Sequence, residues 1–119
     1  KREFGGQLGE TIVQMMVGMG TDGELKFPSY ENGPWTFPGI GMLQAFDKYA
    51  LESLSKAAHR ANQPGWASPP GVAETGDSNS FPNETTFWSI EGGGYRSAQG
   101  KFFLEWYSSA LIEHASRIL

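Results

Sequence analysis

The 119-residue sequence contains no cysteine, which excludes a disulfide framework and any thiolate metal site. That absence does not separate a cytosolic from a secreted or organellar location. Long hydrophobic runs are also missing. No stretch approaches the ~20 consecutive apolar residues of a membrane-crossing helix, so no transmembrane segment and no membrane partner are expected. Positive charge is not in excess either: 9 Lys and Arg face 13 Asp and Glu, the formal net charge is −4 and the pI is near 5.1. A nucleic-acid partner would require a basic stripe, and none is expected. There are only two histidines, His59 and His114, with no second His or Cys at ligand spacing, so neither metal nor cofactor is expected. No initiator Met or targeting segment is present, since Lys1-Arg2-Glu3-Phe4 runs directly into a glycine-containing loop. The chain stops at Ile118-Leu119 inside an apolar helical pattern without a capping glycine. Both ends read as cut, and the expectation is a piece of a larger polypeptide.

What the chain has in quantity is glycine, 16 residues, together with seven prolines and 13% aromatics. Ordinary usage is nearer ~7% Gly and ~5% Pro. The excess falls in loops between two helical segments, which predicts long, shaped loops carrying ring faces. Residues 1 to 10 read as a loop or the end of a preceding helix. Residues 11 to 18 read as the one strand. Five of the six residues Ile12-Val13-Gln14-Met15-Met16-Val17 are apolar without strict alternation, as in a strand buried on both faces of a parallel sheet.

From Gly18 to Gly41 the turn signals Pro28, Asn32-Gly33-Pro34 and Pro38-Gly39 predict loop. Trp35 and Phe37 lie between those turns, either as a small satellite core or as ring platforms beside a ligand. A first helix is predicted over residues 42 to 61, with Leu43, Phe46, Ala50, Leu54, Ala57, Ala58 and Ala61 on one stripe. Asp47 near its start and Lys56, His59 and Arg60 near its end suit the helix dipole, and His59 reads as a dipole partner. Residues 62 to 96 read as irregular, either an elaborated wall or a mobile loop. Within them Asn83-Glu84-Thr85 matches a glycosylation acceptor, a tripeptide too common to imply secretion, and Gly92-Gly93-Gly94 lacks the Lys-Ser/Thr of a phosphate loop. A second helix is predicted over residues 97 to 119, burying Phe103, Trp106, Tyr107, Ala110, Leu111, His114 and Ile118, with Glu113 and Arg117 paired at i,i+4.

Strand, long loop, helix, longer loop, helix cannot close a core alone. The pattern fits an α/β class, as part of a barrel or doubly wound sheet with its chemistry at the strand's C-terminal end. That end is Gly18-Met19-Gly20-Thr21-Asp22-Gly23-Glu24-Leu25-Lys26-Phe27-Pro28-Ser29-Tyr30. By pattern alone Glu24 is a solvated loop carboxylate, because short loop motifs are weak.

Three blocks in order change that reading. Residues 18–30 resemble the catalytic-acid motif of the β-amylases, usually a GLGPxGELRYPSY-like string. Trp35-Thr36-Phe37-Pro38-Gly39-Ile40-Gly41 followed by Phe46-Asp47-Lys48-Tyr49 resembles that family's W-x-FPGIGEFQCYDKY segment. Gly100-Lys101-Phe102-Phe103-Leu104-Glu105-Trp106-Tyr107-Ser108 resembles its GRFFLxWYS helix. The resemblance covers nearly the whole chain. It implies about a quarter of a (β/α)8 barrel, over residues 1–119, around the fourth strand and the two following helices. It also implies hydrolysis of α-1,4-glucans from non-reducing ends, releasing β-maltose with inversion. Glu24 then matches the general acid, and Tyr30, Trp35 and Phe37 match ring positions lining the sugar subsites. The implied partners are an α-1,4-glucan and the remainder of the barrel polypeptide. The family suggests plastid or cytosol.

The chain also departs from the family pattern. Met42-Leu43-Gln44-Ala45-Phe46 stands where members usually have Glu-Phe-Gln-Cys-Tyr, and Glu74-Thr75-Gly76-Asp77-Ser78-Asn79 replaces an HDAG-x-YN-like loop. An inverting glycosidase needs a second carboxylate ~6.5–9.5 Å from the acid. In the family that base, like the mobile lid, lies beyond the matched stretch. The other reading from a different class is a glucan-binding or regulatory protein that keeps the fold without turnover; a free-standing small domain fits less well, given the single strand.

Overall fold

The computed structural model describes residues 3–14, 16–19, 25, 40–77 and 79–118. Within them lie three α-helices, which we number α1 (Lys48–Arg60), α2 (Val72–Thr75) and α3 (Ala98–Ile118), and single 3-10 turns at Gly5–Gln7, Pro64–Trp66, Pro82–Glu84 and Gly94–Arg96.

The first predicted helix forms, but six residues late. Its start is set by Asp47, whose Oδ1 accepts hydrogen bonds from the N–H groups of Tyr49 (2.9 Å) and Ala50 (3.1 Å). These are two of the donors that the first helical turn leaves without a backbone partner. Upstream, burial alternates: Leu43 (3% exposed) and Ala45 (0%) point inward while Gln44 and Phe46 (44%) do not. That period of two is strand-like, so Leu43 is buried as expected but not on a helix, and Phe46 is not a core residue. At the other end Asn62 takes φ 56, in the left-handed region. Its N–H donates to the carbonyl of His59 (3.0 Å), and that of Gln63 donates to the carbonyl of Ala58 (2.9 Å). This is the paired-bond C-terminal motif that glycine usually makes, built here on asparagine.

The second predicted helix is α3, within a residue of its expected bounds. The Ser97 hydroxyl accepts from the N–H of Gly100 (2.9 Å) and so caps it. Phe103 (2% exposed) and Tyr107 (5%) carry the buried face, and Glu113 pairs with Arg117 as predicted. His114 was expected on that face but is exposed, as is Ile118. The last turns of α3 pass beyond the described elements that cover its beginning, so the apolar stripe continues where, among the described residues, His114 and Ile118 are left exposed.

The predicted strand over residues 11 to 18 is the larger correction. Its described residues form no strand; among the described residues an isolated parallel bridge joins Leu8 and Ile12. Val13 is 84% and Met16 90% exposed. A strand buried on both faces needs a paired neighbour and two covering layers, and none of the described residues supplies them.

The core lies where Leu43, Ala45, Leu54, Phe87, Phe103 and Tyr107 meet. The helices α1 and α3 are tied by the indole N–H of Trp106, which donates to the hydroxyl of Ser53 (3.2 Å). Trp66 of the Pro64–Trp66 turn lies over Phe102 with ring centroids 5.4 Å apart.

Residues 62–96, expected to be irregular, form a dense set of short turns. The N–H of Phe87 donates to the carbonyl of Glu74 (3.0 Å), and the N–H of Tyr95 to that of Phe87 (2.9 Å). The indole of Trp88 donates to the carbonyl of Thr75 (3.1 Å). The buried hydroxyl of Thr85 donates to the carbonyl of Pro82 (2.9 Å) and accepts from the N–H of Trp88 (3.1 Å). The glycines of Gly92-Gly93-Gly94 serve this packing. A Cβ at Gly92 would lie 2.2 Å from the carbonyl oxygen of Thr86, and Gly93 takes φ 62.

Candidate functional site

Glu24 and its proposed neighbours Tyr30, Trp35 and Phe37 lie outside the described residues. What is described is the framework on their C-terminal side. The Trp35–Gly41 block leaves through Ile40, whose N–H donates to the carbonyl of Ser80 (3.2 Å). Gly41 follows, buried and at φ 74, a conformation that glycine adopts without the Cβ clash of other residues. Leu43 and Ala45 then enter the core, and between them the N–H of Gln44 donates to the hydroxyl of Tyr107 (2.9 Å) across 63 positions of sequence.

The second and third blocks of the sequence are therefore physically joined: residues 43–45 lie against Phe103 and Tyr107 of α3. Tyr107 was expected on the buried stripe, but its bond to Gln44 was not foreseen. The available signal was chemical, since a buried tyrosine hydroxyl needs a partner. Burial pushes the Tyr107 phenol above its ordinary value, against the opposing effect of the Gln44 N–H, so the hydroxyl is protonated at neutral pH.

Ser80 is held by its own turn. The carboxylate of Asp77 accepts from the N–H of Asn79 (2.9 Å) and from the hydroxyl of Ser80 (3.1 Å), while the N–H of Asp77 donates to that hydroxyl (3.0 Å). Beside this framework opens a cleft of about 250 Å³ between Pro69, Glu74, Phe87, Ser97 and Phe103. Two of its polar groups are engaged in the fold: Glu74 Oε2 accepts from the N–H of Gly71 (3.0 Å), and Ser97 caps α3. His59, at the end of α1, has Nδ1 2.8 Å from the carbonyl oxygen of Ser55, in keeping with a role at the helix terminus.

Compared with known proteins, residues 1–119 match glycosyl hydrolase family 14 along their full length. The chain belongs to this family. It is 51% identical over 114 residues to chloroplastic beta-amylase 1 of Arabidopsis thaliana, covering 94% of this chain and 20% of that protein. Chloroplastic beta-amylase 2 of Oryza sativa subsp. japonica is 45% identical over 118 residues, covering 98% of this chain and 21% of the relative. Inactive beta-amylase 4, chloroplastic, of Arabidopsis thaliana is 42% identical over 121 residues, covering 98% and 22%. The chain thus spans about a fifth of the length of these family 14 relatives. Membership accounts for the joined blocks, since the aromatic residues of the GRFFLxWYS-like helix are those that pack on residues 43–45.

Proposed function

We propose that this chain is the acid-bearing part of a β-amylase that hydrolyses α-1,4-glucosidic bonds in starch-type glucans, releasing maltose from non-reducing ends with inversion. The observation that carries the reading is the family 14 match over residues 1–119, which includes the Gly18–Tyr30 block with Glu24 inside it. Glu24 protonates the glycosidic oxygen, and Tyr30, Trp35 and Phe37 present ring faces to the sugars. To be protonated near neutral pH, Glu24 needs a raised pKa, hence an apolar or carboxylate-rich surrounding. The base that activates water, roughly 6.5–9.5 Å from the acid in an inverting enzyme, comes from the rest of the polypeptide. In this reading residues 11–18 are a barrel strand near the fourth position and α1 and α3 are outer helices. The uncovered Val13 and Met16 support it, being apolar side chains for which the described residues supply no cover.

A second reading, a glucan-binding or regulatory protein without turnover, is favoured by the 42% identity to a relative named as inactive. One experiment separates the two. In the full-length protein that contains this chain, Glu24→Gln abolishes maltose release while glucan binding stays within about twofold of the parent. Undiminished release by the variant would overturn the acid assignment. A parent that binds glucan but releases no maltose would establish the second reading.

A further inference from the structure

We propose that Asn83 is an acceptor for an N-linked glycan, and that transfer takes place before the turn around it closes. The donor is an oligosaccharide carried on a polyprenyl diphosphate. Its bond from the sugar C1 to the diphosphate oxygen breaks, and a bond from C1 to the Asn83 amide nitrogen forms. The amide gives up one proton and the polyprenyl diphosphate leaves. Acceptance is a property of the residue and its turn; passage through a secretory compartment is the condition under which it shows.

Asn83-Glu84-Thr85 has the acceptor pattern, with Glu84 and not proline in the middle. The fold adds two facts that a tripeptide cannot supply. Asn83 is exposed in the middle of the Pro82–Glu84 turn, at a cleft of about 480 Å³ that it lines with Pro82, Trp88 and Ile90. Ile90 is 78% exposed and Trp88 is half-buried, so apolar carbon stands beside the amide for the C–H face of the first sugar. The second fact concerns Thr85, whose hydroxyl the pattern requires. Thr85 is 5% exposed, and its hydroxyl donates to the carbonyl of Pro82 (2.9 Å) and accepts from the N–H of Trp88 (3.1 Å). Glu84 Oε2 closes the same turn by accepting from the N–H of Phe81 (2.8 Å). A transferase that reads the Thr85 hydroxyl has to meet it before these bonds form. Once they form, Thr85 is inside and Asn83 remains outside with its sugar.

The test uses the full-length protein that contains this chain, placed behind a secretory signal peptide and translated with microsomes that hold the transferase and its donor. Peptide mass spectrometry finds the glycan on Asn83, a peptide N-glycosidase removes it, and Asn83→Gln carries none at that position. The same protein, folded first and then offered to detergent-opened microsomes, gains no glycan at Asn83. Its unfolding midpoint with the glycan attached lies no more than about 3 °C below that of Asn83→Gln. An unoccupied Asn83 in the co-translational product overturns the acceptor assignment. Equal occupancy of the prefolded protein overturns the order of events. A larger fall in the midpoint overturns the placement of Asn83 on an open face of the full-length protein.

Discussion

At the residue scale, the framework depends on positions where a side chain must be absent or must carry one particular atom. Gly100, buried in the first turn of α3, is the tightest. A Cβ there would lie 2.0 Å from the carbonyl oxygen of Gly94 and 3.0 Å from the Cα of Tyr95, both backbone, so no rotamer change relieves it. Alanine ordinarily favours a helix over glycine by about 1 kcal/mol. Here overpacking of about 1–3 kcal/mol opposes that gain, because α3 must move off the Gly94–Arg96 turn. Gly100→Ala in the full-length protein therefore lowers stability in urea unfolding; a stabilised variant would show that α3 and that turn are not in close contact. None of this was legible in the sequence, where Gly100 was simply the first letter of a familiar block. Tyr107 was half legible: its burial follows from helical spacing, but the partner of its hydroxyl lies 63 positions away. Helical spacing puts His114 on the apolar stripe, but the stripe continues in sequence past the point where the described covering elements end, and His114 is exposed. Glu24 is assigned by resemblance alone and lies outside the described residues.

At the scale of elements, the capping residues decide what periodicity leaves open. Asp47 was noted for its charge, but its effect is to begin α1 by accepting two N–H groups, leaving residues 42–46 in a non-helical, alternating segment. Both patterns bury Leu43, so spacing could not choose between them. Asp47→Ala costs about 1 kcal/mol of stability in denaturant unfolding and Asp47→Asn much less, since the amide oxygen still caps. Equal losses would mean that charge at the helix end, not the cap, is what matters. The strand over residues 11–18 illustrates the opposite limit. Its composition suits a sheet interior, but a strand exists only in pairs, and the pairing partners are not among the described residues. Residues 62–96 read as irregular because single 3-10 turns tied by side-chain bonds have no period to detect.

At the scale of the whole molecule, surface and size carry the same message. The radius of gyration is 18.0 Å, against about 13.5 Å for a compact domain of this length. Large apolar side chains stand uncovered at Val13 (84%), Met16 (90%), Ile90 (78%) and Ile112 (63%). The chain spans about a fifth of its family 14 relatives, and the rest of such a polypeptide is what we propose to cover these faces and to supply the base. Fold class was thus readable only in part: the two long helices from spacing and the family from three blocks in register, while the strand expected over residues 11–18 is not formed by its described residues. The most direct test of the central claim is the anomeric form of the first product. Proton NMR of the full-length protein acting on maltoheptaose, recorded before mutarotation, should show β-maltose appearing first. Maltose released as the α-anomer, or no maltose at all, would contradict the account.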